Sequence, residues 1–96
     1  MRGVLIAATA SFETDRALRL SPNVGLRPEP FGALAYHFDT RRLVFLKSAE
    51  LVELVHALSR HRTVADAVTA APPTHSPASY FAALASLEEA GVICEQ

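Results

Sequence analysis

Read along the chain, the spacing of apolar positions changes once and abruptly. Between Ala33 and Leu46 the positions alternate. Leu34, Tyr36 and Phe38 fall on one side of an extended chain, with Ala33, Ala35 and His37 on the other. After Asp39-Thr40-Arg41 the return run RLVFLK puts Leu43 and Phe45 on one side and Val44 and Leu46 on the other. From Ala49 onward the spacing becomes three and four: Leu51, Leu54, Val55 and Leu58 form a stripe, and Glu53, His56 and Arg60 fall off it. Only Lys47 and Ser48 separate the two regimes. The pattern predicts an antiparallel hairpin, turned by Asp39 through its self-bonding carboxylate, whose second strand runs straight into an amphipathic helix over Ala49–Arg60. Ser48 is placed as the N-cap, and Glu50 puts negative charge in the first turn. Both sides of the return strand are apolar, so one side packs on helices and the other is expected to meet something else.

The flanking segments are set by punctuation. SPNVGLRPEPFG, from Ser21 to Gly32, holds three prolines and two glycines. A proline donates nothing to a sheet ladder, so only a short edge strand near Val24–Arg27 is predicted there. Thr63 followed by Asp66 is a capping-box variant opening a short helix with Val64, Ala67 and Val68 inward, and Pro72-Pro73 closes it. Ser76 and Pro77 begin a last helix, Gly91 is placed to end it, and Val92 and Ile93 form a tail folding back on the core. On that last helix Phe81 and Leu84 are expected in the core. Tyr80, Ala83 and Leu87 form an adjoining stripe that either completes the core or lines a shallow trough. Residues 1–19 show no period, with Phe12 and Leu18 scattered among charges. They predict an N-terminal arm, flexible or laid across the domain of residues 20–96. Strand, strand, strand, helix, helix, helix, with no repeat, is an α+β arrangement: a small antiparallel sheet with helices on one face.

Composition narrows the function. The chain has 96 residues, enough for one domain. Its 9 basic and 10 acidic side chains leave a net charge of −1, which argues against a polyanionic partner. Cys94 is the single cysteine and has no C-x-x-C mate, which points to a reduced thiol in the cytoplasm. The opening MRGVLIAATAS, with Ala8-Thr9-Ala10 resembling a cleavage site, is too short for an export signal and reads as an arm or an overlong start. No apolar run approaches a membrane span. Of the four histidines, His56 and His61 are five apart, the wrong spacing for one helix face, so no metal site is expected. No phosphate loop and no presented nucleophile occur, so no catalytic residue, no cofactor and no enzyme activity are expected. The rival reading is a DNA-binding regulator of the winged-helix kind. Against it, the last helix holds no Lys or Arg between Ser76 and Ala90 and ends in Glu88-Glu89. A third reading is a structural subunit of an enzyme.

If Leu43–Leu46 is the outer strand of a three-stranded meander, its unpaired amides template another strand. A peptide docked there gains backbone hydrogen bonds for affinity and places alternate side chains in pockets for specificity. The same edge permits pairing of two copies, so a homodimer is a further expectation.

The block LSPNVGLRPEPFGALAYHFDTRRLVFLKSAELVELV carries a resemblance, most specifically in LRPEPFGALAYHF followed by R-L-x-F-L-K-S. It resembles the mycofactocin-biosynthesis peptide chaperones. These belong to the wider group of recognition elements for ribosomally made, modified peptides, whose best-known member serves pyrroloquinoline quinone synthesis. From Thr63 the likeness is one of pattern, ending in LEEAGVI; overall it spans Leu20 to Ile93. It implies a winged-helix-like domain that binds the leader of a precursor peptide and hands it to a radical S-adenosylmethionine (SAM) maturase. The iron–sulfur clusters then belong to the maturase, and this chain needs no cofactor. In the wider group the leader adds beside the third strand and lies against the third helix. That implies peptide contacts at Leu43, Val44, Phe45 and Leu46 and at Tyr80, Ala83 and Leu87.

Overall fold

The computed structural model describes residues 12–96, so the readings made for residues 1–11, the Ala8-Thr9-Ala10 segment included, lie outside the described residues. In chain order the elements are β1 (Leu18–Leu20), β2 (Val24–Glu29), β3 (Gly32–His37), β4 (Leu43–Leu46), α1 (Ala49–Ala57, continued by a 3₁₀ turn Leu58–Arg60), α2 (Val64–Ala70), α3 (Pro77–Glu89) and β5 (Ile93–Glu95). The three-stranded antiparallel meander β2-β3-β4 and the three helices are the α+β arrangement the pattern predicted. The first of these strands reaches through Pro28 to Glu29, with Pro28 opposite Ala33. A proline is tolerated there because β2 is an edge.

The sheet is assembled small side in, large side out. Ala33 and Ala35 of β3, only 1% exposed, face the helices, together with Val24 and Leu26 of β2 and Val44 and Leu46 of β4. These alanines let α1 lie close across β3. Beneath it Leu46, Leu54, Leu58 and Leu84 meet in the core, each worth about 1.5–3 kcal/mol of burial. The larger Leu34, Tyr36, Leu43 and Phe45 take the opposite face.

The helix ends follow the punctuation. The hydroxyls of Ser48, Thr63 and Ser76 accept from the amides of Leu51, Asp66 and Ser79 at 3.0, 3.1 and 3.1 Å. At the end of α3, Gly91 takes φ 83° and donates to the Glu88 carbonyl at 3.0 Å, while the Val92 amide reaches the Leu87 carbonyl at 2.9 Å. These two bonds are a Schellman motif, and the buried pair Leu87 and Val92 supplies its apolar contact. The hairpin turn has a different cap from the one the sequence suggested. The amides of Asp39 and Thr40 donate to His37 Nδ1 at 3.2 and 3.3 Å, and Arg41 takes the left-handed φ of 64°.

The segment before the meander is built into the domain in its described part. Leu18–Leu20 pairs antiparallel with Ile93–Glu95, Leu20 opposite Ile93, and Leu18 is 1% exposed. The carbonyls of Thr14 and Arg16 accept from the Ala65 and Val64 amides at 2.8 and 2.9 Å, so this segment also caps α2. Arg16 then ties the segment to α3. Its guanidinium meets both carboxylate oxygens of Glu88 at 2.6 and 2.9 Å and Glu95 at 3.0 Å, with the Phe12 ring centroid 5.6 Å away. The Glu88 bonds, assisted by Glu95 and opposed by partial burial, raise the Arg16 pKa above its already high value, so the clamp holds its charge throughout the working range. Arg16→Gln is expected to cost about 1–2 kcal/mol, mostly through Glu88, since Glu95 is well exposed. Urea midpoints at low and high salt check this: the gap between parent and variant should narrow as salt rises.

Candidate functional site

β4 pairs with β3 on one side, Ala35 opposite Val44 and Ala33 opposite Leu46, and with no strand on the other among the described residues. The sheet's other edge, β2, carries Pro28 and is flanked by Pro22 and Pro30, so β4 is the proline-free edge. At about 3.3 Å per residue its four residues offer roughly 13 Å of ladder.

Beside the end of β4 is a hollow of about 210 Å³ between Lys47 and Ser48, Leu51 of α1, and Ser79, Tyr80 and Ala83 of α3, closed at one end by His75. Its wall is braced. His75 stacks edge-on against the Tyr80 ring at 5.4 Å between centroids and lies 3.8 Å from the Glu50 carboxylate. Small Ala83 is what leaves the space. A larger open cleft of about 950 Å³ runs along the far face of α3, between Phe81, Ala82 and Ala85 on one side and Phe12 and Arg16 on the other. It does not touch β4 and carries acidic Glu13, Glu89 and Glu95 on its walls.

The seven residues singled out in the sequence separate into three settings. Leu43 and Phe45 project from the outer sheet face, 58% and 57% exposed. Val44 is half-buried and Leu46 fully buried on the helix side. On α3, Ala83 lines the hollow, whereas Tyr80 and Leu87 belong to the core at 3% and 4% exposure. The inward stripe of α3 is therefore Tyr80, Leu84 and Leu87, an i, i+4, i+7 series, and Phe81, expected inside, stands half-exposed against Phe12 at 6.4 Å. The helix takes this phase because Tyr80 reaches a partner when buried: its hydroxyl donates to the Pro72 carbonyl at 2.8 Å. Lys47, Leu51, His75 and Ser79 were not anticipated as hollow-lining residues. The one available signal was the abrupt strand-to-helix junction at Lys47-Ser48, which forces the start of α1 alongside the edge.

Among the described residues, no cluster of three or more His, Cys, Asp or Glu side chains could hold a metal ion, and no helix is long and apolar enough to cross a membrane. The profile of the peptide chaperone MftB family matches residues 17–94. A peptide chaperone MftB from Mycobacterium ulcerans is 40% identical over 105 aligned positions, covering all of this chain and 96% of that protein. The peptide chaperone MftB of Mycolicibacterium smegmatis is 47% identical over 66 positions, covering 69% of this chain and 65% of its own length. That of Mycobacterium tuberculosis is 46% identical over 61, covering 64% and 56%. The comparison with solved structures returned no significant match.

Proposed function

From the premise that the chain belongs to the peptide chaperone MftB family, a family of chaperones and not of enzymes, we propose that it binds the leader of a ribosomally made precursor peptide by strand addition along β4. It presents that peptide to a radical SAM maturase in mycofactocin biosynthesis, in the cytoplasm and with no cofactor of its own. The observation that carries the reading is the conjunction at one edge: the outer side of β4 has no partner strand among the described residues and is free of proline, and a hollow lined by Ala83 lies alongside its end.

An added strand takes its affinity from the row of β4 amides and carbonyls. Its side chains alternate, one set pointing towards the hollow and α3, the other towards the outer sheet face. Val44 and Leu46 hold β4 down on the core from the helix side. Tyr80 and Leu87 act from beneath, Tyr80 by forming the rigid wall of the hollow. Leu43 and Phe45 flank the guest on the open side. Nucleic acid is not part of this reading, because α3 meets its surroundings with alanines, serines and carboxylates.

The burial of Tyr80 and Leu87 decides which variant tests this, since a charge at either position would strike the core. Ala83→Glu is the clean choice: Ala83 is only partly buried, glutamate suits a helix interior, and the longer side chain fills the hollow. The expected result is an unchanged far-ultraviolet spectrum and melting midpoint with at least about tenfold weaker binding of the precursor peptide by calorimetry, about 1.4 kcal/mol. The peptide stripped of its leader should not bind either protein. Equal affinity of parent and Ala83→Glu would remove the hollow from the site.

A further inference from the structure

The large apolar side chains that are exposed among the described residues all gather on the outer face of the meander, and strand addition at β4 engages only the Leu43 and Phe45 border of it. Phe31, Tyr36, Phe38, Leu43 and Phe45 are all exposed there, Phe38 to 56%, and Leu34 lies between them. A monomer seldom leaves a contiguous apolar patch of this kind in water without a use for it. The rings are already arranged: Phe31 meets Phe45 edge-on at 5.7 Å, and Tyr36 meets Phe38 at 5.7 Å. Phe38 in turn lies over Gly25, where an added Cβ would come within 3.2 Å of the ring. Ordering these side chains on contact therefore costs little further rotamer freedom. The face also has relief. Gly25, Arg27, Leu34, Tyr36 and Leu43 surround a dimple of about 330 Å³, a seat for one protruding apolar side chain of the kind that anchors protein interfaces.

The rim identifies the occupant. Arg27 is spent on Glu29 at 2.6 Å, but Arg41, Arg42 and Lys47 stand exposed at the two ends of β4, and none of the three is in an ion pair among the described residues. A chain with a net charge of −1 thus concentrates positive charge around its apolar face. A second copy laid on this face would bring the same arginines towards each other, whereas a surface with an apolar knob and an acidic rim would be complemented and steered.

We propose that the outer face of β2-β3-β4 is the docking surface for a partner protein with an apolar, acid-rimmed contact face, and that the bound peptide completes this surface. A strand added to β4 must turn every second side chain to the same side as Leu43 and Phe45. Peptide and partner then share one composite patch. Each raises the affinity of the other by the same factor, because coupling between two binding equilibria is reciprocal. The inference rests on the strand-addition reading, under which the partner is the maturase.

The test uses the full chain, the maturase and the precursor peptide. Tyr36→Ser combined with Phe38→Ser removes two of the four rings of the patch, from β3 and its turn, and leaves β4 and the hollow untouched. It should bind precursor peptide within about twofold of the parent and bind the maturase at least about tenfold more weakly. For the parent, saturating peptide should raise maturase affinity about fivefold or more, and the double variant should lose that gain. Arg42→Glu, remote from the core, should slow maturase association severalfold at low salt and flatten its salt dependence. Maturase affinity unchanged in the double variant overturns the proposal. So does a parent that dimerises in sedimentation through the rings the double variant removes while both bind maturase equally. A parent that never binds peptide sinks the strand-addition reading and the coupling built on it, whereas the docking face itself is tested separately, because loss of maturase binding by the double variant is read without peptide.

Discussion

Gly32→Ala is expected to lower stability by about 3 kcal/mol or more, a large part of the roughly 5–15 kcal/mol available to a small domain. Gly32 sits at φ 147°, which a side chain rarely adopts. A Cβ there would also collide with the Leu46 carbonyl oxygen and come within 3.0 Å of the Ser48 amide. Both obstacles are backbone, so neither rotates aside, and both belong to the junction where β4 hands over to α1. The β2–β3 turn is thus wedged against that junction, and displacing it disturbs the Ser48 cap. Gly25→Ala is the control. Its Cβ would meet only the tip of the Phe38 ring, which can shift, so a cost below about 1 kcal/mol is expected. Urea unfolding of the two variants checks the pair. Equal, small losses would mean that the Leu46 carbonyl yields freely.

The second large effect concerns the phase of α3. Tyr80→Asp is expected to prevent folding, because it places a carboxylate where the parent is 3% exposed and removes the hydroxyl that satisfies the Pro72 carbonyl. An uncompensated buried charge costs several kcal/mol, and the lost aromatic burial adds a few more. Phe81→Asp, one residue on, should fold with a loss of about 1–2 kcal/mol, since Phe81 is only partly buried, at the margin of the core beside Phe12. Tyr80→Phe isolates the hydroxyl and should cost about 1 kcal/mol. Circular dichroism at 20 °C separates the first two variants, and reversal of their order would put the wrong face of α3 in the core.

What the sequence made legible was local. Ser48, Thr63 and Ser76 each cap the helix they were expected to cap, and Gly91 ends α3, because a cap is decided within four residues. The hairpin and its alternation were legible for the same reason. The inward face of the hairpin was not, since both faces are apolar, and the choice fell to Ala33 and Ala35, whose small size admits α1. The phase of α3 was ambiguous across its wide apolar arc and was settled by a hydroxyl finding a carbonyl eight residues earlier. The pairing of Leu18–Leu20 with Ile93–Glu95 left no trace in the pattern: three residues are too few to show a period, and their partners are at the opposite end of the chain. In the candidate site, Leu43–Leu46 could be found because its edge follows from strand order, and Ala83 because it is small among large neighbours. Lys47, Leu51, His75 and Ser79 could not, because they converge only once β4, α1 and α3 are packed.

That long-range pairing has a consequence for how the protein comes into being. During synthesis β2, β3 and β4 leave the ribosome early and can zip together at once, while Leu18–Leu20, though it packs on α1 and the turn after it, must wait for Ile93–Glu95 to find its partner strand. A nascent chain, or one cut short after Gly91, would already possess its strand edge yet leave Leu18–Leu20 without a partner strand and Arg16 with Glu88 as its only carboxylate. The arrival of Ile93–Glu95 is thus the step that seals this domain, and a product missing that strand should be the form that quality-control proteases remove first.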